Sequence, residues 1–162
     1  MSKIRGKDTK IEVLVRKWLF SHGFRFRKND NRYPGSPDIV LPKYKTVIFI
    51  HGCFWHHHSE CRGDKLPQTR TEFWKTKFQR NIVRDEAKVR ELEAEGWKVI
   101  VLWECELKKN PYLILNQLIM YLRGVGLSNM CYTISKKYSS VSLGVFQPNV
   151  RIGNLLYFQL CM

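Results

Sequence analysis

Ile11, Leu14, Val15, Trp18 and Leu19 recur at three- and four-residue steps and so share one face of a helix. Thr9 and Glu12 form a T-x-x-E capping box at its start, and Gly23 stops it. Residues 24–27 (FRFR) alternate apolar and basic, the pattern of a first strand. YPGSP at 33–37 is a turn, 38–41 a short strand, and 43–45 a second turn. Residues 46–51 (TVIFIH) are β-rich and nearly continuous in apolar character, as in a strand buried on both faces. A loop of unusual composition, GCFWHHHSECRGDKLPQTR, fills 52–70. A helix over 71–95 follows, ended by Gly96, then a buried-type strand at 97–103 (WKVIVLW). Asn110-Pro111 fits the N-cap and N1 of a last helix reaching about residue 123. The order is α-β-β-β-α-β-α. It predicts an α/β fold, a mixed sheet flanked by helices, with a parallel crossover joining the two buried strands.

Composition narrows the class. At 162 residues with 44% apolar and 13% aromatic residues, the chain can bury a core. No run approaches the roughly 18 apolar residues of a membrane span. The opening MSKIRGKDTK lacks the apolar stretch of a secretory signal, so the expectation is a cytoplasmic protein with reduced thiols. A net charge of +14 points to a polyanionic partner, nucleic acid first, with a merely basic soluble protein as the alternative. The charge is uneven. Residues 124–162 carry only Lys136, Lys137 and Arg151 and no acid, and they lose helical periodicity. The expected organisation is a domain over 1–123 and a C-terminal extension over 124–162.

Four of the five histidines (His51, His56, His57, His58) and Cys53 and Cys61 crowd into eleven residues. Zinc takes thiolate sulfur and imidazole nitrogen in tetrahedral sites, and Cys53, His58 and Cys61 offer three ligands from one loop. Topology supplies a fourth. If strands 46–51 and 97–103 are parallel, their C-terminal ends share one edge, and Cys53 and Cys105 each follow an end by two residues. A Cys3His site has no open position, so such a zinc is structural, and it would fix a long loop otherwise without support. The alternative is that these cysteines are small buried hydrophobes, which is the better reading for Cys131 and Cys161.

Pro37-Asp38 opens a strand after a turn, where a carboxylate can hold a hard cation such as Mg2+, although an aspartate in a turn is more often structural. His51 ends the next strand and His56 follows it. A metal, an acid and neutral imidazoles suit phosphodiester hydrolysis. Glu12 could reach the site from the first helix, but its capping role explains it at least as well.

Here the motifs PGSPDIV (34–40), VIFIHGCFWHHH (47–58), TRTEFW (69–74), NIVRD (81–85) and GWKVIVLWECEL (96–107), with IRGKDTKIE (4–12), closely resemble the very short patch repair (Vsr) DNA mismatch endonucleases. The resemblance spans about residues 3–123 and implies a PD-(D/E)xK restriction-nuclease core. It implies nicking of double-stranded DNA 5′ of the T in a T:G mismatch left by deamination of 5-methylcytosine. It also implies roles: Asp38 and the Ile50 backbone carbonyl at Mg2+, and His56 as general base or water-orienting group. His51 would assist at the metal–phosphate centre, and Glu12 would be an auxiliary acid. Cys53, His58, Cys61 and Cys105 would hold structural zinc, as the topology argues. Phe54, Trp55 and Trp74 would wedge beside the mismatch, whereas Trp18, Trp97 and Trp103 lie in clean helix or strand patterns and are expected in the core. Phosphate contacts would come from Arg5, Lys7, Lys10, Lys65, Arg70, Lys75 and Lys77, each of which is otherwise a solvated surface charge. The implied partners are mismatched duplex, mismatch-repair proteins and a cognate cytosine-5 methyltransferase system, with no membrane and a monomeric enzyme.

Three departures from the family pattern stand out. Ile50 replaces a Thr, two residues rather than one separate His58 from Cys61, and only three residues precede Ile4, where the family carries an arm. The short arm implies weaker DNA affinity or mismatch selectivity. Two other readings stay open: a restriction-type or less selective endonuclease of the same fold, and a zinc-stabilised DNA-binding module without catalysis.

Overall fold

The computed structural model describes residues 7–56, 58 and 69–124, and the backbone of 156–157. The elements are α1 (Lys10–Ser21), β1 (Arg27–Lys28), β2 (Ile39–Leu41), β3 (Thr46–His51), α2 (Thr71–Ala94), β4 (Lys98–Trp103), α3 (Glu104–Lys109), α4 (Pro111–Leu122) and β5 (Leu156–Tyr157). The strands form one sheet in the order β1-β2-β3-β4-β5. β1, β2 and β3 pair antiparallel, while β3–β4 and β4–β5 are parallel. This is the mixed, helix-flanked α/β sheet that the sequence predicts. The part of the 124–162 extension beyond residue 124, β5 backbone apart, lies outside the described residues.

Local chemistry sets the ends of α1. Thr9 Oγ1 accepts from the Glu12 N–H at 3.3 Å, and the Glu12 carboxylate accepts from the Asp8 N–H and the Thr9 hydroxyl, each at 2.9 Å. At the other end Gly23 adopts φ +86°, and the Phe24 N–H reaches back to the Leu19 carbonyl at 3.0 Å, a Schellman closure. Gly96 closes α2 in the same way, with the Trp97 N–H on the Leu92 carbonyl at 2.9 Å.

Both faces of the sheet are covered, which is why β3 and β4 read as apolar runs. Ile48, Ile100 and Leu102 face Val15 and Leu19 of α1 and Ile114, Leu115 and Leu118 of α4. Val47 and Val99 face Leu92 of α2 on the other side.

Two expectations are corrected. The strand predicted at 24–27 begins only at Arg27: Phe24 is buried and Arg25 caps the Phe20 ring at 4.7 Å, but β2 is too short to pair with them. The segment after β4 contains an extra helix, α3. Its six residues, acidic at the start and basic at the end with Lys108 on Glu104 at 2.6 Å, are too few to display periodicity.

Candidate functional site

The parallel register of β3 and β4 sets His51 beside Trp103 at one sheet edge, and the chain leaves both strands there. Asp38 enters β2 on the neighbouring strand, and its Oδ2 accepts the Ile50 N–H at 2.7 Å. Burial raises the Asp38 carboxyl to about 6. The Ile50 hydrogen bond opposes that rise, the Glu12 charge adds to it, and the charges of Arg16 and His56 lower it. The carboxylate is thus desolvated yet ringed by α1, β3 and the following turn, and a hard cation would relieve its burial.

Glu12 is buried and serves as the cap described above, with Arg16, itself buried, 3.6 Å away and also paired with Asp8. Capping and electrostatic contact with Asp38 therefore coexist in one side chain.

His51 and His56 stack face to face, ring centroids 3.8 Å apart and planes 5° from parallel. Burial, reinforced by the neighbouring His56, depresses His51 to about 3, so this imidazole is neutral near pH 7. His56 Nδ1 lies 2.6 Å from Asp85 Oδ2. Burial disfavours the Asp85 carboxylate, but the His56 hydrogen bond and the charges around it outweigh burial and hold it below the usual carboxylate range. Ligand-capable atoms of His51, His56 and Asp85 all lie within 4.8 Å of one another.

Asp85 is the residue that sequence reasoning missed. A signal existed. Phe78, Asp85, Val89 and Leu92 follow helical spacing along α2, and the apolar members of that stripe face inward. An acid in such a stripe needs a buried partner.

A second group lies beside the first. Cys105 Sγ is 3.2 Å and Cys53 Sγ 3.9 Å from His58 Nδ1, and the three ligand atoms fall within 4.8 Å of one another. Sulfur and nitrogen bound to one tetrahedral zinc stand about 3.5 Å apart, so this donor set fits that ion. Cys61, the fourth expected ligand, and His57 lie outside the described residues, as do Arg5 and Lys65.

Phe54 and Trp55 follow Cys53 and meet α2. Phe54 packs edge-on to Trp74 at 5.5 Å and to Phe78 at 5.4 Å. Trp55 is 37% exposed, and Asn81 donates to its carbonyl. The Lys77 ammonium sits 5.2 Å from the Trp55 ring and 5.1 Å from that of Trp74. Lys7, Lys10 and Arg70 are exposed, and Lys75 pairs with Glu72. Trp97 packs against Tyr33 next to the second core cluster, and Trp18 against Tyr112 and His22. Trp103 departs from its expected core role: its half-buried ring contacts His58 and His51.

The model for the DNA mismatch endonuclease Vsr matches residues 1–62. A type II nicking enzyme of Neisseria meningitidis, V.NmeAIP, is 61% identical over 108 residues, covering 67% of this chain and 76% of the relative. The DNA mismatch endonuclease Vsr of Escherichia coli is 45% identical over 108 residues, covering 67% and 69%. V.XorIIP of Xanthomonas oryzae, also a type II nicking enzyme, is 48% identical over 107 residues, covering 66% and 78%. The chain belongs to the Vsr endonuclease family. As a Vsr-family protein it is a DNA endonuclease, and the histidine pair, Asp38 and Asp85 form the candidate hydrolytic centre of a Vsr fold. Among the described residues no helix is long and apolar enough to cross a membrane.

Proposed function

We propose that this Vsr-family chain nicks double-stranded DNA 5′ of the T in a T:G mismatch, by Mg2+-dependent phosphodiester hydrolysis, with zinc as a structural ion. The observation that carries the reading is the His51–His56 stack, tied to Asp85 and adjoining the half-buried, desolvated Asp38. Asp85 accepts from His56 Nδ1–H, which leaves Nε2 with its lone pair to take a proton from water. Neutral His51 holds the plane of His56 without adding charge. Asp38 and the Ile50 carbonyl would hold Mg2+, with Glu12 nearby. When bound, that ion supplies charge stabilisation at the phosphoryl oxygens. Cys53, His58, Cys61 and Cys105 would hold zinc and so fix the turn that carries Phe54, Trp55 and His56. Those aromatics, with Trp74, suit a wedge at a base step that a mismatch has already weakened. DNA-facing charge would come from Lys7, Lys65, Arg70 and Lys77. The partners that follow are the mismatched duplex, mismatch-repair proteins and a cytosine-5 methyltransferase whose product deaminates, with the enzyme acting as a monomer in the cytoplasm.

The test uses a labelled duplex with one T:G mismatch in a methyltransferase-type site beside its C:G match. Each is run with and without added Mg2+, and with Asp38→Ala. A Mg2+-dependent nick at the T alone, lost in Asp38→Ala, is expected. Nicking of both duplexes would replace this reading with a less selective endonuclease, and tight binding without cutting with a binding module.

A further inference from the structure

Trp103 ends β4 directly opposite His51 in the β3–β4 ladder. Its indole lies flat on the His58 imidazole, centroids 4.1 Å apart and planes 10° from parallel. The same indole meets His51 nearly edge-on, at 5.3 Å and 76°. His51 in turn stacks on His56, and His56 bonds to Asp85. One unbroken file of rings therefore runs from the Cys53/His58/Cys105 group to the His51/His56/Asp85 group, and Trp103 is the link between them.

The contacts are of kinds that fix ring planes. A flat face about 4 Å away resists tilt of an imidazole, and an edge-on ring holds its neighbour in the complementary orientation. An imidazole that has given its lone pair to a metal carries added positive charge, which favours its place over an indole face. Trp103 itself stands on a strand paired residue by residue with β3 and so provides a rigid mount.

We propose that Trp103 is a positioning residue that couples the metal-holding loop to the hydrolytic histidines. It keeps His58 in its ligating plane and His51 in the plane against which His56 stacks. The inference rests on the function proposed above for the two groups, and it assigns this tryptophan a role that core packing does not predict.

The experiment compares the full-length, zinc-loaded protein with Trp103→Leu, which keeps apolar bulk without a flat face, and Trp103→Phe, which keeps a ring. Zinc transfer to a chromogenic chelator is measured without DNA. Trp103→Leu is expected to release zinc at least tenfold faster, and Trp103→Phe within threefold of the parent. Single-turnover nicking of saturating T:G duplex should fall at least tenfold in Trp103→Leu while duplex Kd stays within twofold. With zinc kept bound through the single turnover, the same substitution in a His51→Gln background should cost less than threefold, because its route to the reaction through His51 has been removed. Unchanged zinc release, a full cost in the His51→Gln background, or rate and affinity falling together would each overturn the proposal. The zinc arm requires no nicking, so failure of the coupling and failure of the proposed function read separately. Should Trp103→Leu not fold, Trp103→Met takes its place.

Discussion

His56 and Asp85 lie 29 residues apart in the chain and 2.6 Å apart in space. The contact joins the turn after β3 to the middle of α2, and it gives the imidazole a fixed plane and a fixed tautomer. Asp85→Asn presents an amide of the same shape that no longer selects the tautomer. Single-turnover nicking is expected to fall by about 100-fold with duplex Kd unchanged. Adding Asp85→Asn to His56→Ala should cost little more than His56→Ala alone, since the two act as a unit. Quench-flow rates with saturating duplex check both. Additive losses would separate Asp85 from the base.

The desolvated, half-buried carboxylate of Asp38 makes a prediction of opposite sign for stability and for activity. Its folded-state pKa is raised from 3.8 to about 6. The stabilisation tied to its proton is present below about 3.8 and is lost as pH rises through about 6. Two units correspond to about 3 kcal/mol, an upper figure for a group that still keeps one hydrogen bond. Asp38→Asn should therefore raise the melting temperature of Mg2+-free protein at pH 7.5 by about 3–8 °C and leave it nearly unchanged near pH 4, with parent and variant compared at equal zinc content at each pH. Saturating Mg2+ should narrow the gap by stabilising only the parent. Nicking should fall by at least about 100-fold at every pH. Calorimetry across pH 4–8 checks the first claim. Equal melting shifts at both ends would remove burial as the cause.

The sheet was legible because both of its faces are covered. TVIFIH and WKVIVLW read as buried strands, and the helix between them forces a parallel pair whose ends share an edge. That topology alone placed Cys105 beside Cys53 and His58, where the structure has it. The failures share a cause as well. Asp85 and Trp103 look like ordinary members of a helix and a strand, and only tertiary contact reveals what each touches. Helix α3 is shorter than the windows in which periodicity shows, and β1 shrinks because its partner β2 has three residues. Thr9-x-x-Glu12 was readable as a cap, but the same carboxylate's electrostatic reach to Asp38 was not decidable from spacing.

The sulfur and imidazole group makes a prediction about metal content. The purified protein should hold about one zinc per chain, and Cys105→Ser and Cys61→Ser should each abolish it. The loss should lower the melting temperature by at least about 5 °C, because the loop that zinc would fix also packs Phe54 on Phe78 of α2. Cys161→Ser, by contrast, should retain full zinc. Elemental analysis of the three variants decides the matter, and retention of zinc in Cys105→Ser would exclude this ligand.

Lys77 and Trp74 occupy one half-buried corner, yet they should act on DNA in different ways. The Lys77 ammonium lies over Trp55, Phe73 and Trp74 at 5.2, 5.8 and 5.1 Å. A cation held there keeps its charge available to a phosphate while its stem covers the rings. Lys77→Ala should weaken binding to T:G and C:G duplexes about equally and reduce the slope of log K against log salt by about 1. Trp74 has no charge to give. Its ring packs against Phe54 and Phe73, each at 5.5 Å, and so supports the aromatic group that would enter a weakened base step. Trp74→Ala should therefore leave the salt slope and matched-duplex affinity in place and remove most of the preference for the mismatch, about 1–3 kcal/mol by analogy with single-base stacking energies. Fluorescence anisotropy of both duplexes from 50 to 200 mM salt separates the two effects. A Trp74→Ala protein that loses matched and mismatched binding equally would show the ring to be a fold element of α2 rather than part of the wedge.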